Sequence, residues 1–77
     1  MTVHKVKLNK NYSWFIQTLA VVPGDILLYE SKDANGHFVT RYVYVVMDGV
    51  FMDGKFLRMN LLTSENKIRH ISILIKQ

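Results

Sequence analysis

Apolar positions along the 77-residue chain follow two different periods. Before Pro23, Tyr12, Phe15, Ile16, Leu19 and Val22 recur at spacings of 3, 1, 3 and 3, the stripe of a helix. That spacing predicts a helix over 12–20, capped by Asn11 or Ser13 and stopped by Pro23. The β-branched Val21-Val22 pair works against it. A short strand over 2–8 precedes it, with Val6 and Leu8 on one face. After Pro23 the pattern turns to strands. Ile26–Tyr29 reads as a buried strand and His37–Met47 as a long one rich in Val and Tyr. Phe56–Leu62 and Ile68–Ile75 read as two more. Asn35-Gly36, Asp48-Gly49, Asp53-Gly54 and Ser64–Lys67 supply the turns between them.

The expected class is mainly β (α+β): one domain over 1–77, with one short N-terminal helix and four or five strands. So many short strands in so short a chain must hide their edges by curling, as a small curled antiparallel sheet or an SH3-like barrel. Pro23-Gly24-Asp25-Ile26-Leu27-Leu28 resembles the first barrel strand of several SH3-like families, including toxin nucleases of the MazF type. The resemblance implies a barrel strand there. The catalytic segment of those toxins is absent, so no activity is carried over.

A two-residue turn at Asn35-Gly36 pairs Ile26 with Val45, Leu28 with Val43, Glu30 with Arg41 and Lys32 with Val39 on one face. The other face pairs Leu27 with Tyr44, Tyr29 with Tyr42, Ser31 with Thr40 and Asp33 with Phe38. The aliphatic face is the expected core. The aromatic face (Tyr29, Phe38, Tyr42, Tyr44) is then left for the helix, a protein partner or stacked nucleobases to cover.

A four-residue loop at Ser64–Lys67 pairs Arg58 with Ile73, Asn60 with Ile71 and Leu62 with Arg69. Arg58, Asn60 and Arg69 then form one row suited to phosphates and base edges. The same row also serves simply to keep an edge strand soluble.

Charge sharpens this picture. The net charge is +4, and the basic residues gather at the two ends of the sequence, Lys5, Lys7 and Lys10 in one and Lys55, Arg58, Lys67, Arg69 and Lys76 in the other. Hydrophobic residues make up 49% of the chain, enough to exclude intrinsic disorder. There is no cysteine, so disulfides and thiolate metal sites are excluded. No nucleophile elbow, phosphate-binding loop or dinucleotide motif occurs. His4, His37 and His70 lie 33 residues apart, so no metal is expected. Asp48 and Asp53 each precede a glycine and read as turn residues rather than as a catalytic pair.

The expectation is therefore a non-catalytic binding or regulatory protein with no cofactor. Its leading partner is RNA or single-stranded DNA: Tyr29, Tyr42 and Tyr44 stack bases beside Phe38, and Lys55, Arg58, Asn60, Lys67 and Arg69 hold the backbone and base edges. The alternative is a protein-interaction module, such as a phage-encoded modulator of a host enzyme. A homodimer is a third use of the aromatic surface, and the Ile68–Ile75 edge is a route to it. No apolar run approaches the roughly 20 residues of a spanning helix, and no secretory leader is recognisable. The expected setting is the cytoplasm of a bacterium or a phage-infected cell. Residues with AT-rich codons (Phe, Tyr, Met, Ile, Asn, Lys) number 30 against 10 for Gly, Ala, Arg and Pro, which points to a low-GC genome.

Overall fold

The computed structural model describes residues 1–76, and all its regular structure is β. Six strands follow in order: β1 (Val3–Leu8), β2 (Trp14–Ile16), β3 (Ile26–Lys32), β4 (Phe38–Asp53), β5 (Phe56–Leu62) and β6 (Ile68–Ile75). They close into a barrel in the order β1-β2-β6-β5-β4-β3. β3 to β6 form an antiparallel meander, while β1 joins β3 and β2 joins β6 in parallel. The small curled barrel is as expected; the helix and the count of four or five strands are corrected.

Residues 12–20 form no helix. Seven of the eleven positions from Tyr12 to Val22 are aromatic or β-branched, types that gain in a strand and lose rotamer freedom in a helix. Asn9 also captures the local backbone. Its side-chain oxygen accepts from the N–H groups of Asn11 and Ser13 at 2.9 Å each, closing a turn that feeds Trp14 into β2.

That turn recurs twice. In Asn9–Ser13, Asp33–His37 and Thr63–Lys67, the first N–H donates to the fifth carbonyl and the fourth N–H to the first carbonyl. In each, the first side-chain oxygen accepts from the third and fifth N–H. The fourth residue is left-handed: Tyr12 at φ 58°, Gly36 at 81° and Asn66 at 60°. This is the three-residue loop built on a type I turn, not the two-residue turn read from Asn35-Gly36. Because β1, β3 and β5 run the same way, all three turns crowd one end of the barrel.

The recurring turn also sets register. In β3–β4 an irregularity between Ser31 and Lys32 compensates for it, and the pairs from Ile26–Val45 to Ser31–Thr40 are those expected. Lys32, however, pairs Phe38 rather than Val39. In β5–β6 nothing compensates, and the register slips by one from the expected one: Arg58 pairs Ser72, Asn60 pairs His70 and Leu61 pairs Arg69. A one-residue slip exchanges the faces of a strand. Asp48-Gly49 is a bulge inside the 16-residue β4 rather than a turn.

The core takes residues from every strand: Val6, Ile16, Leu27, Tyr29, Val46, Leu57, Met59, Leu61 and Ile73, joined by Val21. The faces of the first hairpin are thus inverted from expectation. Leu27, Tyr29 and Tyr44 point inward, while Val39 and Val43 lie outside, 69% and 53% exposed. Trp14 fills the place intended for the helix, its ring edge-on to Tyr29 at 4.9 Å. Tyr44 meets Tyr29 edge-on at 5.3 Å from the other side. Each such contact adds about 0.5–1.5 kcal/mol to the area buried.

Candidate nucleic-acid interface

At the three-turn end, β4 outruns β5. Their pairing begins at Val45–Leu62, so Phe38–Tyr44 continues with β3 alone. The tips of the β3–β4 and β5–β6 hairpins therefore stand apart, with a cleft of about 590 Å³ between them. Tyr42, Tyr44 and Arg41 line one wall, and Lys67, Arg69 and Glu65 the other. The one-residue slip in β5–β6 places Arg69 here, on the inward-facing row opposite Leu61 but beyond the core, at the open mouth. The Tyr42 and Tyr44 ring centres lie 6.2 Å apart and Tyr42 is 56% exposed, so the tyrosine row runs from the packed interior out to solvent. Lys67 is also within 3.5 Å of Glu65, both well exposed.

The expected site residues divide into groups. Tyr42, Tyr44, Lys67 and Arg69 come together in the mouth. Phe38 sits beside them at the β3–β4 tip, with Lys32 Nζ 4.8 Å and the Arg41 guanidinium 5.2 Å from its ring centre. Tyr29 is buried at 7% exposure, and burial pushes its hydroxyl pKa well above the ordinary 10. It supports the site from inside and is not a stacking surface. Lys55 lies at the far end, beside Leu19, Met52 and Ile75. The Arg58–Asn60–Arg69 row does not form, because the register puts Arg58 and Asn60 outside and Arg69 at the mouth.

Arg58 and Asn60 belong instead to a shallow depression of about 320 Å³ on the outer face, with Gly49, Phe51, His70 and Ser72. Asn60 Nδ2 donates to Asp48 Oδ1 at 2.8 Å, and its Oδ1 bonds to His70 Nδ1. Since the amide oxygen can only accept, that bond places the His70 proton on Nδ1. Arg58 Nε forms an ion pair with Asp53 Oδ2 at 2.9 Å. The chain pins the bulge: a Cβ on Gly49 would lie 3.2 Å from Asn60 Nδ2.

Sequence reasoning passed over Asp25, the only buried charged residue among those described. Its carboxylate accepts from His4 Nε2 at 2.8 Å and from the N–H groups of Val22 (3.1 Å) and Thr2 (3.2 Å). The His4 bond, then the Val22 N–H, hold its pKa below the ordinary 3.8 against the opposing effect of burial. The pair ties the N-terminus to the segment after β2, at the end opposite the mouth. The signal was an Asp in a Pro-Gly-Asp turn near a His on the inward face of β1, in phase with Val6, visible only once β1 and β3 are known to pair.

Among the described residues no helix is long and apolar enough to cross a membrane, and no three His, Cys, Asp or Glu side chains cluster as metal ligands. No family model, curated protein or solved structure matches the chain.

Proposed function

We propose that the chain is a non-catalytic binding protein of the SH3-like barrel type whose mouth takes a single strand of RNA or DNA. The observation that carries this reading is the cleft itself: two tyrosines, one of them largely exposed, face Lys67 and Arg69 across about 590 Å³, with Arg41 on the tyrosine wall. An exposed ring stacks any base, and nearby cations hold the phosphates that flank it. Each stacked base is worth about 1–3 kcal/mol, so Tyr42→Ala should weaken binding about 5- to 150-fold. Since Tyr42 is 56% exposed, the same change should leave the fold standing. Arg69→Gln should lower the slope of log affinity against log salt by about 0.7. Fluorescence anisotropy with a labelled single-stranded oligonucleotide reads both. No binding at low salt, or binding that ignores both substitutions, refutes the proposal.

A protein partner is the second reading, favoured by the barrel exterior. Val3, Ile26, Val45, Leu62 and Ile68 are register neighbours across five strands and form one outward apolar row, with Val3 58% and Ile68 57% exposed. A second copy or a host enzyme would dock there. Ile68→Lys should then abolish a complex that Tyr42→Ala spares.

A further inference from the structure

A second cleft, of about 570 Å³, opens on the same end of the barrel, between the ends of β1 and β3. Lys5, Lys7, Lys10, Lys32, Tyr12 and Glu30 line it, four ammonium groups against one carboxylate. Among the described residues none of these lysines has an acidic partner within 4.0 Å. Lys5 and Lys7 stand beside Leu28 and Glu30 in the parallel β1–β3 register, on the outer face. Tyr12 completes the cleft from the first turn. It holds φ 58° at the position that Gly36 and Asn66 occupy in the other two turns, and it is 84% exposed. No packing explains a bulky ring at that position. The two clefts are bridged at the β3–β4 tip, where Phe38, 48% exposed, has both the ammonium of Lys32 from the second cleft (4.8 Å) and the guanidinium of Arg41 from the first (5.2 Å) over its ring.

We propose that this lysine cleft is a second anchor for the same strand of nucleic acid. The strand leaves the mouth, crosses Phe38, and lays further phosphates among Lys5, Lys7, Lys10 and Lys32, with a base on Tyr12. The inference rests on the reading of the mouth as a single-strand site and extends it to a continuous track. Four lysines spread over two strands and a turn suit a run of phosphates better than one small anion. Four or five neighbouring strands are separated by three or four spacings of about 4.8 Å, a path of roughly 15–20 Å, within what a strand filling a barrel's usual site of about 4–16 nucleotides can span.

Oligonucleotides of about 5 and about 15 nucleotides, near the two ends of that range, separate the anchors. The test measures both by anisotropy against wild type, Lys7→Gln/Lys10→Gln and Arg69→Gln, with thermal melts confirming that each variant is folded. The double variant should weaken the long oligonucleotide about 25-fold at 0.1 M salt, lower its salt slope by about 1.4, and leave the short one unchanged. Arg69→Gln should weaken both. If the short strand binds and responds to Arg69→Gln while the double variant leaves the long one untouched, the track is wrong and the mouth stands. If the short strand instead depends on Lys7 and Lys10 and ignores Arg69, the lysine cleft is the binding site and the mouth is wrong. Absence of binding at either length overturns both.

Discussion

Tyr12 offers a direct measure of strain that the fold retains. A left-handed backbone costs a residue bearing a Cβ about 1–2 kcal/mol, and Tyr12 sits at φ 58° with its side chain 84% exposed. Replacing it by glycine therefore removes the strain and forfeits almost no burial. Glycine returns about 0.5–1 kcal/mol of that gain through the freer unfolded chain. The net effect of Tyr12→Gly should be a stabilisation of about 0.5–1 kcal/mol, or about 2–8 °C in Tm for a chain this size. Tyr12→Asn should gain a similar amount, because asparagine tolerates this conformation as Asn66 does at φ 60° in the third turn. Tyr12→Phe should change nothing. Calorimetry on the three variants decides the matter. Equal melting temperatures across the series would mean that the ring stabilises the turn by a contact the exposure does not reveal. If the lysine cleft binds as proposed, the stabilised variants should also lose affinity for the long oligonucleotide, which would account for a strained tyrosine where a glycine serves better.

The remaining predictions concern the inverted faces, the bulge and the buried acid. Leu57→Ala, at a site 2% exposed, should cost about 2–5 kcal/mol in urea unfolding, while Val43→Ala, 53% exposed on the outer face, should cost less than about 1; equal losses would restore the aliphatic face to the core. Gly49→Ala should destabilise more than Gly54→Ala, since both glycines are left-handed but only the first would press a Cβ on Asn60, and the His70 ring resonances should shift in the first variant alone. Asp25 has a depressed folded pKa, so its contribution is complete above the ordinary 3.8 and is lost as pH falls through the lower folded value. Asp25→Asn should accordingly be less stable than wild type at pH 7, with the gap narrowing in urea titrations below about pH 4; a constant gap would refute the assignment.

Much of the barrel was legible in the sequence. The bounds of β5 and β6 follow from their apolar alternation and the polar turn between them. The pairing of Ile26 to Ser31 follows from the position of the hairpin turn, though by two departures that cancel. What failed lay one step beyond local pattern. A side-chain oxygen on Asn9 outweighed a helical stripe because its Asx-type turn folds the chain back, with Asn9 N–H on the Ser13 carbonyl and Tyr12 left-handed, a conformation from which a right-handed helix cannot start. The face of the first hairpin is decided by strands that do not belong to it, above all Val6, Leu57 and Ile73. One clue was available: the aliphatic face carries Glu30, Lys32 and Arg41, whereas the aromatic face has Ser31 and Thr40 beside its tyrosines and a charge, Asp33, only at the turn. The mouth was half legible. Tyr42 and Tyr44 came from alternation, but Arg69 reaches them through a register slip set by Asn66.

The closure of the barrel depends on its shortest strand. β2 meets β6 only at Phe15–Leu74 and Ile16–Ile75, and β1 only at Lys7–Phe15 and Leu8–Trp14. Every other junction in the ring runs five or more register pairs. A ring opens at its weakest seam, so amide exchange should be fastest along β2 and along the flank of β6 that β2 leaves uncovered. Once open, the barrel becomes an ordinary sheet with two bare margins, and two such sheets can pair through them, β2 of one copy against β6 of the other, without unfolding the meander that carries the mouth. Concentration would then govern whether the chain is found as a closed ring or as an interlocked pair.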